Sequence, residues 1–316
     1  MNDDNIKKLY NDGERLIPFV SHEQGELTRH FSSHNFFREI IKKDVKSLKN
    51  KNLSVLDVGF GTGYACYLYS KIDEVKTVKG IDNSEECLEW ALNNYWNSKI
   101  NYEVCDAVKY FERNEKYSYI VTRHVLEHIK NGLNIIDENK FSNRLCINVP
   151  YDEKEENKFH LLKGITEKDF PKYKNVEFFY EDRSGITYDK IPEGIFINSI
   201  VCIASKEGMP KVGKYFKFPY DAPTIEEITE ELGSGNLKML ANVINIQKEE
   251  IADIKKSIEE SEERLRQKKA EIVDLRAEIV DLKKEVQGIV TSTSWKITKP
   301  LRSLNHQIST NKNKGE

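Results

Sequence analysis

Cysteine is scarce in this chain, and its spacing excludes the frameworks that cysteine usually builds. The five cysteines are scattered along the sequence, with no Cys-x-x-Cys pair among them. We therefore expect small buried thiols in a reducing compartment, with neither a disulfide framework nor a zinc site. No metal ligand is assigned from the sequence.

Long apolar runs are also lacking. None approaches the roughly 18 residues of a membrane-spanning helix, and the first residues lack the basic segment and apolar core of a secretory signal. The net charge of −3 does not indicate a nucleic-acid-binding protein. We expect a cytoplasmic protein, any membrane contact being peripheral and at the inner face.

The chain does contain a buried strand that runs into a glycine-rich turn, Val55-Leu56-Asp57-Val58-Gly59-Phe60-Gly61-Thr62-Gly63. The three glycines allow a tight bend and let a ligand approach the backbone closely. The third glycine comes one residue too early for a dinucleotide fingerprint, and Asp57 suits an ammonium group better than a pyrophosphate. An ordinary tight turn between a strand and a helix is the alternative.

Further strands follow, and two of them end on an acid. Thr77 to Asp82 and Ile100 to Ala107 are predicted strands, and a carboxylate at Asp82 can accept both hydroxyls of a ribose. Tyr117 to Thr122 is another, followed at once by Arg123 to Ile129. Helix-compatible stretches alternate with these strands, which predicts an α/β fold with a parallel sheet.

These segments together resemble the class I S-adenosylmethionine-dependent methyltransferases. The resemblance covers about residues 10 to 205, and it implies a Rossmann-like sheet of seven strands whose last strand is antiparallel. It also implies that Asp57 and the glycine turn hold the methionine end of the cofactor, Asp82 the ribose and Asp106 the adenine amino group. The cofactor-binding residues that it implies are Glu14, Arg15, Asp57, Gly59, Gly61, Gly63, Asp82, Asn83, Asp106, Ala107 and Arg123. Phe60 departs from the family, which usually has a small residue at that position.

Candidates for catalysis lie where this fold would place the acceptor. They are His124, Glu127 and His128 after the fourth strand, and His160 after Pro150. An acceptor hydroxyl benefits from a base within hydrogen-bond reach. Each candidate also has a structural interpretation: a helix start for Glu127 and His128, a pocket wall for His124, and a surface position for His160.

The C-terminal part of the chain predicts a rod. No proline occurs between Pro223 and Pro300, and the heptad a positions are Leu237, Ile244, Ile251, Ile258, Leu265, Ile272, Ile279 and Val286. With mostly Ile at a and Leu at the closing d positions, this pattern favours a parallel coiled-coil dimer through residues 237–289. A trimer and a solvated single helix are the alternatives.

These patterns divide the chain into a methyltransferase domain (1–210), a linker (211–235), a coiled coil (236–290) and a basic amphipathic tail (291–316). Gly13 to Pro18, with Glu26 and His30, resembles the leading segment of methyltransferases attached to surface-polysaccharide gene products. Trp295 beside basic and apolar residues suits a membrane surface or a glycosyltransferase partner, and a frayed tail is the alternative.

The resemblance thus implies O-methylation of a sugar or glycan in bacterial surface-polysaccharide (O-antigen) assembly, with termination of chain growth as one candidate role. Two other interpretations are methylation of a small metabolite or protein, with the coil as a dimeriser, and a non-catalytic scaffold for glycosyltransferases.

Overall fold

A mixed β-sheet forms the centre of the first of two compact units, residues Met1–Ile244 and Asn245–Glu316. The computed structural model describes residues 15–18, 24–48, 51–154, 158–232, 237–294, 296–298, 300 and 302. The described strands are β1 (Leu53–Val58), β2 (Val75–Asp82), β3 (Ile100–Val104), β4 (Tyr117–Arg123), β5 (Phe141–Pro150), β6 (Val176–Asp182), β7 (Thr187–Tyr188) and β8 (Ile197–Ser205). The described helices are α1 (Gln24–Val45), α2 (Tyr64–Ser70), α3 (Glu85–Asn94), α4 (Ala107–Phe111), α5 (Ile225–Leu232) and α6 (Leu237–Thr291).

The strand order is β3-β2-β1-β4-β5-β8-β6-β7. The first five strands pair in parallel, whereas β8 runs antiparallel between β5 and β6. The implied antiparallel last strand is therefore confirmed, but the sheet has eight described strands instead of seven. The additional strand, β7, has two residues and pairs with the edge of β6.

Burial explains why the central strands form where they do. β1, β4 and β5 are continuous runs that lie mostly buried, as expected of strands that are covered on both faces of a parallel sheet. Helix α1 packs against α2 and β4 and buries Phe36, Phe37, Ile40 and Ile41 completely. The strand order reverses at β1, between β2 and β4, and open α/β sheets bind ligands at such a point.

The segment predicted as a linker (211–235) lies within the first unit, and its described residues pack against the rest of that unit. The rings of Phe216, Phe218 and Tyr220 lie 4.9, 6.5 and 5.4 Å from the ring of Phe36. Helix α5 contacts α1 and α2. Aromatic side chains at three nearby positions give this segment enough apolar surface to add to the core.

Helix α6 is a single helix of 55 residues. From Ile251 to Val290 its side chains are exposed along the whole length. Among the described residues, no helix combines the length and the apolar character that crossing a membrane requires.

Candidate active site

The glycine turn follows β1 and uses its three glycines in different ways. All three have left-handed backbone conformations, with φ of 77° at Gly59, 52° at Gly61 and 87° at Gly63. A β-carbon at Gly59 would lie 2.1 Å from Val125, and one at Gly63 would lie 2.6 Å from Ala91. At Gly61 nothing lies within 4 Å of that position. Two glycines therefore permit close packing, and the third exposes the backbone to open space.

That space is a cavity of about 520 Å³, here called the glycine-turn cavity. Its walls come from the carboxyl ends of β1, β2 and β4 and from the segments that follow them. Of the predicted cofactor-binding residues it is lined by Arg15, Gly59, Gly61, Asp82, Asn83, Asp106, Ala107 and Arg123. Most of the predicted residues therefore lie in one crevice, the one that the strand order marks.

Asp82 is a fixed acceptor in this wall. The backbone N–H of Gly61 donates to Oδ2 at 2.9 Å, and that of Ser84 donates to Oδ1 at 3.1 Å. Burial raises the pKa of this carboxyl, while the two N–H donors and the nearby Arg15 oppose that rise. A carboxylate held at a strand end in this way can accept hydrogen bonds from the hydroxyls of a ribose.

The other two predicted carboxylates have different surroundings. Asp106 lines the cavity, but it is exposed and also caps α4 by accepting from the N–H of Lys109 at 3.0 Å. Asp57 is only 1% exposed and does not line the cavity. Its side chain turns towards α2, where Cys66 Sγ donates to Oδ2 at 3.3 Å. The expected convergence of three carboxylates around the ligand is therefore reduced to Asp82 and Asp106.

Arg123, at the end of β4, belongs to a buried polar network. Its Nε donates to Ser33 Oγ at 3.1 Å, and Nη1 donates to His30 Nδ1 at 3.0 Å. The Ser33 hydroxyl donates to Glu181 Oε2 at 2.6 Å, and that oxygen also accepts from Asn148 Nδ2 at 2.9 Å. The remaining nitrogen, Nη2, is buried without a hydrogen-bond partner among the described residues, and the guanidinium places a positive charge in the wall of the cavity.

The segment before α1 closes one side of the glycine-turn cavity. Arg15 and Leu16 line it, and the Leu16 carbonyl accepts from Thr62 Oγ1 at 2.8 Å. The turn and this segment therefore hold one another in place. Glu14, the remaining predicted residue of this segment, lies outside the described residues.

His124 stands at the junction of the glycine-turn cavity and a second cavity, because it lines both. It adopts a left-handed conformation with φ of 51°. Its Nε2 lies 3.1 Å from Ser199 Oγ, and its Nδ1 lies 3.5 Å from Glu127 Oε1. Burial and the neighbouring Arg123 charge hold the imidazole pKa well below its usual range. The imidazole is therefore neutral near pH 7.

Glu127, His128 and His160 form a cluster next to His124, with one potential ligand atom of each within 4.8 Å of the others. Glu127 is fully buried, and burial raises the pKa of its carboxyl to about 8. The imidazole rings of His128 and His160 meet edge to face at 4.8 Å. All four predicted catalytic candidates thus lie in one place, and His160 is not the surface residue that its charged surroundings in the sequence allowed.

The second cavity, here called the Arg183 cavity, has a volume of about 560 Å³. Its lining includes Arg29, Tyr151, Lys154, Arg183, Phe196 and Asn198. The Arg183 guanidinium lies over the Phe196 ring at 4.5 Å, and Phe196 itself is 62% exposed. This wall combines an aromatic face with several hydrogen-bonding groups, as ligand sites commonly do.

Several site residues could not be found from the sequence. Ser33, Asn148 and Glu181 surround Arg123, but they come from α1, β5 and β6, and no short motif contains them. Ser199 lies beside His124 in β8. The apolar residues of β8 predict a strand, but nothing in the sequence marks Ser199 as a site residue. His30 is visible in the sequence as part of the leading segment, without a role at the site.

One family of known proteins matches part of the chain. Residues 30–140 match a family model described as "Methyltransferase domain" (Methyltransf_23). No curated protein matches the chain.

The solved structures that are similar to the chain include methyltransferases. The methyltransferase domain of bacterial CtHen1 is 16% identical, with 55% of this chain and all 100% of that chain covered and a TM-score of 0.38. The plantazolicin methyltransferase BpumL in complex with SAH is 16% identical. The match covers 65% of this chain and 92% of that chain, with a TM-score of 0.44. A structure of WbdD is 13% identical, with 63% of this chain and 41% of that chain covered and a TM-score of 0.46.

The glycine-turn cavity fits S-adenosylmethionine, the cofactor of this class. Gly61 leaves the turn open where a side chain would intrude, Asp82 supplies an acceptor for ribose hydroxyls, and the positive charge of Arg123 in the wall suits a carboxylate. These groups line one crevice at the point where the strand order reverses. Residues 30–140 therefore match a methyltransferase domain, and the cavity beside them fits S-adenosylmethionine as the cofactor.

Proposed function

We propose that this protein transfers a methyl group to a sugar hydroxyl during the assembly of a bacterial surface polysaccharide. One observation carries the proposal: His124 lines both the glycine-turn cavity and the Arg183 cavity. A donor site and an acceptor site that meet at one side chain are what a direct transfer between two bound molecules requires.

The cofactor, when bound, supplies an electrophilic methyl group on a sulfonium. Asp82 and Arg123 would hold its polar groups, so that the reacting end faces the junction of the two cavities. Because displacement at a methyl carbon needs an in-line approach, fixing both reactants contributes much of the rate.

His124 is the candidate base at this junction. Its imidazole is neutral near pH 7 and can therefore accept the proton that the acceptor hydroxyl loses as the new bond forms. Ser199 Oγ, 3.1 Å from Nε2, orients the ring.

The walls of the Arg183 cavity support a sugar acceptor. Tyr151 and Phe196 offer flat apolar faces, and Asn198 offers amide groups at the same cavity. Ile191 and Ile195, both more than one-third exposed, extend the apolar surface beside Phe196, and an exposed apolar patch of this kind commonly marks a binding site. Charged side chains of both signs complete the lining and can hydrogen-bond the hydroxyls of a sugar. These residues are Arg29, Asp152, Glu153, Lys154 and Arg183.

The C-terminal part of the chain would hold this active site near its polymeric acceptor. In this proposal α6 pairs as a parallel dimer, and the tail (291–316) contacts a membrane surface or a glycosyltransferase. The resemblance of the leading segment to methyltransferases attached to surface-polysaccharide gene products supports this arrangement. Methylation of the growing end would then stop chain extension.

A transfer assay with methyl-labelled S-adenosylmethionine tests the acceptor class. The acceptors are lipid-linked oligosaccharides, nucleotide sugars, cell protein and a small-metabolite fraction, offered separately. We expect label in a glycan fraction, in alkali-stable ether linkage, and a loss of about 10²-fold or more with His124→Gln. Label only in protein or metabolites contradicts the sugar acceptor, and absence of cofactor binding by calorimetry favours the scaffold.

Removal of residues 290–316 tests the recruitment role. The expected result is loss of association with membranes or with the synthase while activity on a soluble acceptor is retained. Unchanged localisation would rule out recruitment by the tail, without affecting the acceptor assignment.

A further inference from the structure

Glu127, His128 and His160 are brought together by the backbone. Glu127 and His128 lie in the 3-10 turn that follows β4, and His160 lies in the segment after β5. The N–H groups of Leu161 and Leu162 both donate to the Glu127 carbonyl, at 2.9 and 3.0 Å. These bonds fix the two segments against each other and set the spacing of the three side chains.

The Glu127 carboxyl lacks the donors that a buried carboxyl normally has. It is 0% exposed, and neither of its oxygens has a hydrogen-bond partner among the described residues. His124 Nδ1 lies 3.5 Å from Glu127 Oε1, which is too far for a hydrogen bond of normal length. Buried polar groups without partners are rare in folded proteins, and a binding site for an ion is one of the regular explanations.

Both imidazoles are oriented as metal ligands are. His128 Nδ1 lies 3.1 Å from the Phe159 carbonyl, and His160 Nδ1 lies 2.5 Å from Glu153 Oε2. A carbonyl or carboxylate oxygen can only accept, so each Nδ1 carries the proton and the lone pair of each ring is on Nε2. Metal-binding histidines typically donate from the second ring nitrogen to a carboxylate or carbonyl in this way.

We propose that Glu127, His128 and His160 bind one divalent transition-metal ion, through one carboxylate and two Nε2 atoms. Imidazole suits Zn²⁺, Co²⁺ and related ions, whereas Mg²⁺ and Ca²⁺ prefer sites made of oxygen atoms. Three protein ligands leave at least one coordination position open. Because His128 lines the glycine-turn cavity and His160 lines the Arg183 cavity, that position lies where the cavities approach each other.

The consequence for the reaction rests on the proposed function. An acceptor oxygen at the open position would be oriented towards the methyl donor, and its hydroxyl would lose a proton more readily beside the ion. His124, whose Nδ1 lies 3.5 Å from Glu127 Oε1, is close enough to the cluster to take that proton. The metal site itself requires no particular acceptor.

The test is metal binding to the full-length chain, without an affinity tag and after removal of metal by chelation. Titration with Co²⁺ is followed by calorimetry and by ligand-field absorption, which reports nitrogen ligands directly, and Zn²⁺ then competes. We expect one Co²⁺ per chain, displaced by Zn²⁺ and not by equal Mg²⁺. Glu127→Gln and His160→Asn should weaken binding by about 100-fold or more, and Glu153→Ala, which removes only the hydrogen-bond partner of His160, should weaken it about 10- to 100-fold.

Glu167→Gln is the matched control, since Glu167 accepts from the Tyr180 hydroxyl and lies outside the cluster. It should bind Co²⁺ as the unaltered protein does. Binding of S-adenosylmethionine by each variant verifies that it is folded. No stoichiometric Co²⁺ binding, or equal binding by folded Glu127→Gln and His160→Asn variants, overturns the proposal. Methyl transfer that persists unchanged after chelation would overturn only the role in the reaction.

Discussion

A buried carboxyl beneath the glycine turn should make the stability of the domain depend on pH. Burial is the main cause that raises the pKa of Asp57, from an ordinary 3.8 to about 7, and the charge of Asp82 adds to the rise. In the unfolded chain this carboxyl ionises near its ordinary pKa, whereas in the folded chain it stays protonated until about pH 7. The folded state therefore binds more protons in this window, and its stability falls as the pH rises through it.

We predict that Asp57→Asn removes this loss. The variant should gain stability relative to the unaltered chain as the pH rises from about 4 to about 7, by on the order of 2–4 kcal/mol at about pH 8. Urea unfolding at about pH 4.5 and about pH 8 measures the difference. A stability difference that does not change with pH would mean that Asp57 is ionised in the folded protein.

The glycines of the turn provide a second prediction at the residue scale. Gly61→Ala places a methyl group in the glycine-turn cavity, and we expect cofactor affinity to fall at least about tenfold. The free energy of unfolding should fall by about 1–2 kcal/mol, because alanine disfavours the left-handed backbone conformation. Gly63→Ala should instead unfold the turn, because its β-carbon would meet Ala91 at 2.6 Å. Calorimetric titration and thermal melting separate the two effects.

Gly164→Ala is the control for backbone strain. Gly164 has φ of 62°, and no atom lies within 4 Å of the place that a β-carbon would take. It does not line the glycine-turn cavity. This variant should lose similar stability and keep its cofactor affinity. If Gly61→Ala also retains full affinity, the cofactor does not lie against Gly61.

At the scale of elements, the segment between β8 and α6 should stabilise the domain. The Tyr220 backbone exchanges hydrogen bonds with Thr187 at 2.7 and 2.9 Å, and the Arg38 guanidinium pairs with Glu231 at 2.8 Å. We predict that a chain of residues 1–232 melts as the domain of the full chain does. A chain of residues 1–210 should be less stable by at least about 3 kcal/mol, because Phe36 loses its aromatic neighbours. Equal melting temperatures would restore the linker interpretation.

The elements differ in how well the sequence predicts them. Buried aliphatic runs such as β1 and β4 have a strong local signal, and the acid and glycines at their ends indicate the cavity. Strand β7 has two residues, too few for any periodicity, and it exists because Thr187 pairs with β6 and Tyr220. The network around Arg123 joins residues of α1, β5 and β6, so only the folded sheet reveals it.

Asp57 shows a further limit of prediction. Its position at the end of β1 is visible in the sequence, but alternation along a strand does not tell which face a neighbouring helix covers. In the structure Cys66 of α2 lies on that face. A residue can therefore match a binding motif and still lie beneath the site.

At the scale of the molecule, α6 presents an apolar stripe along its length. Its described a and d side chains are about half exposed on the isolated helix, including Ile251, Ile258, Leu265, Ile272, Leu275, Ile279 and Leu282. Pairing two such stripes would bury them, as in coiled coils. We predict a dimer by sedimentation equilibrium, and Ile272→Asp combined with Ile279→Asp should yield monomers.

Ala270→Asp combined with Ala277→Asp provides the comparison, because both residues occupy the f position, opposite the stripe. This variant should remain dimeric. If both variants are monomers, the substitutions have disrupted the helix in general and not the stripe. If the unaltered chain is a trimer, the prediction of a dimer is wrong and the trimeric coiled coil is correct.

The position of His124 between two solvent-open cavities has a kinetic consequence. If donor and acceptor occupy separate cavities, as proposed, neither reactant occupies the place of the other. Under the proposed function, donor and acceptor would then bind in either order, and the acceptor would remain bound while the spent cofactor is exchanged.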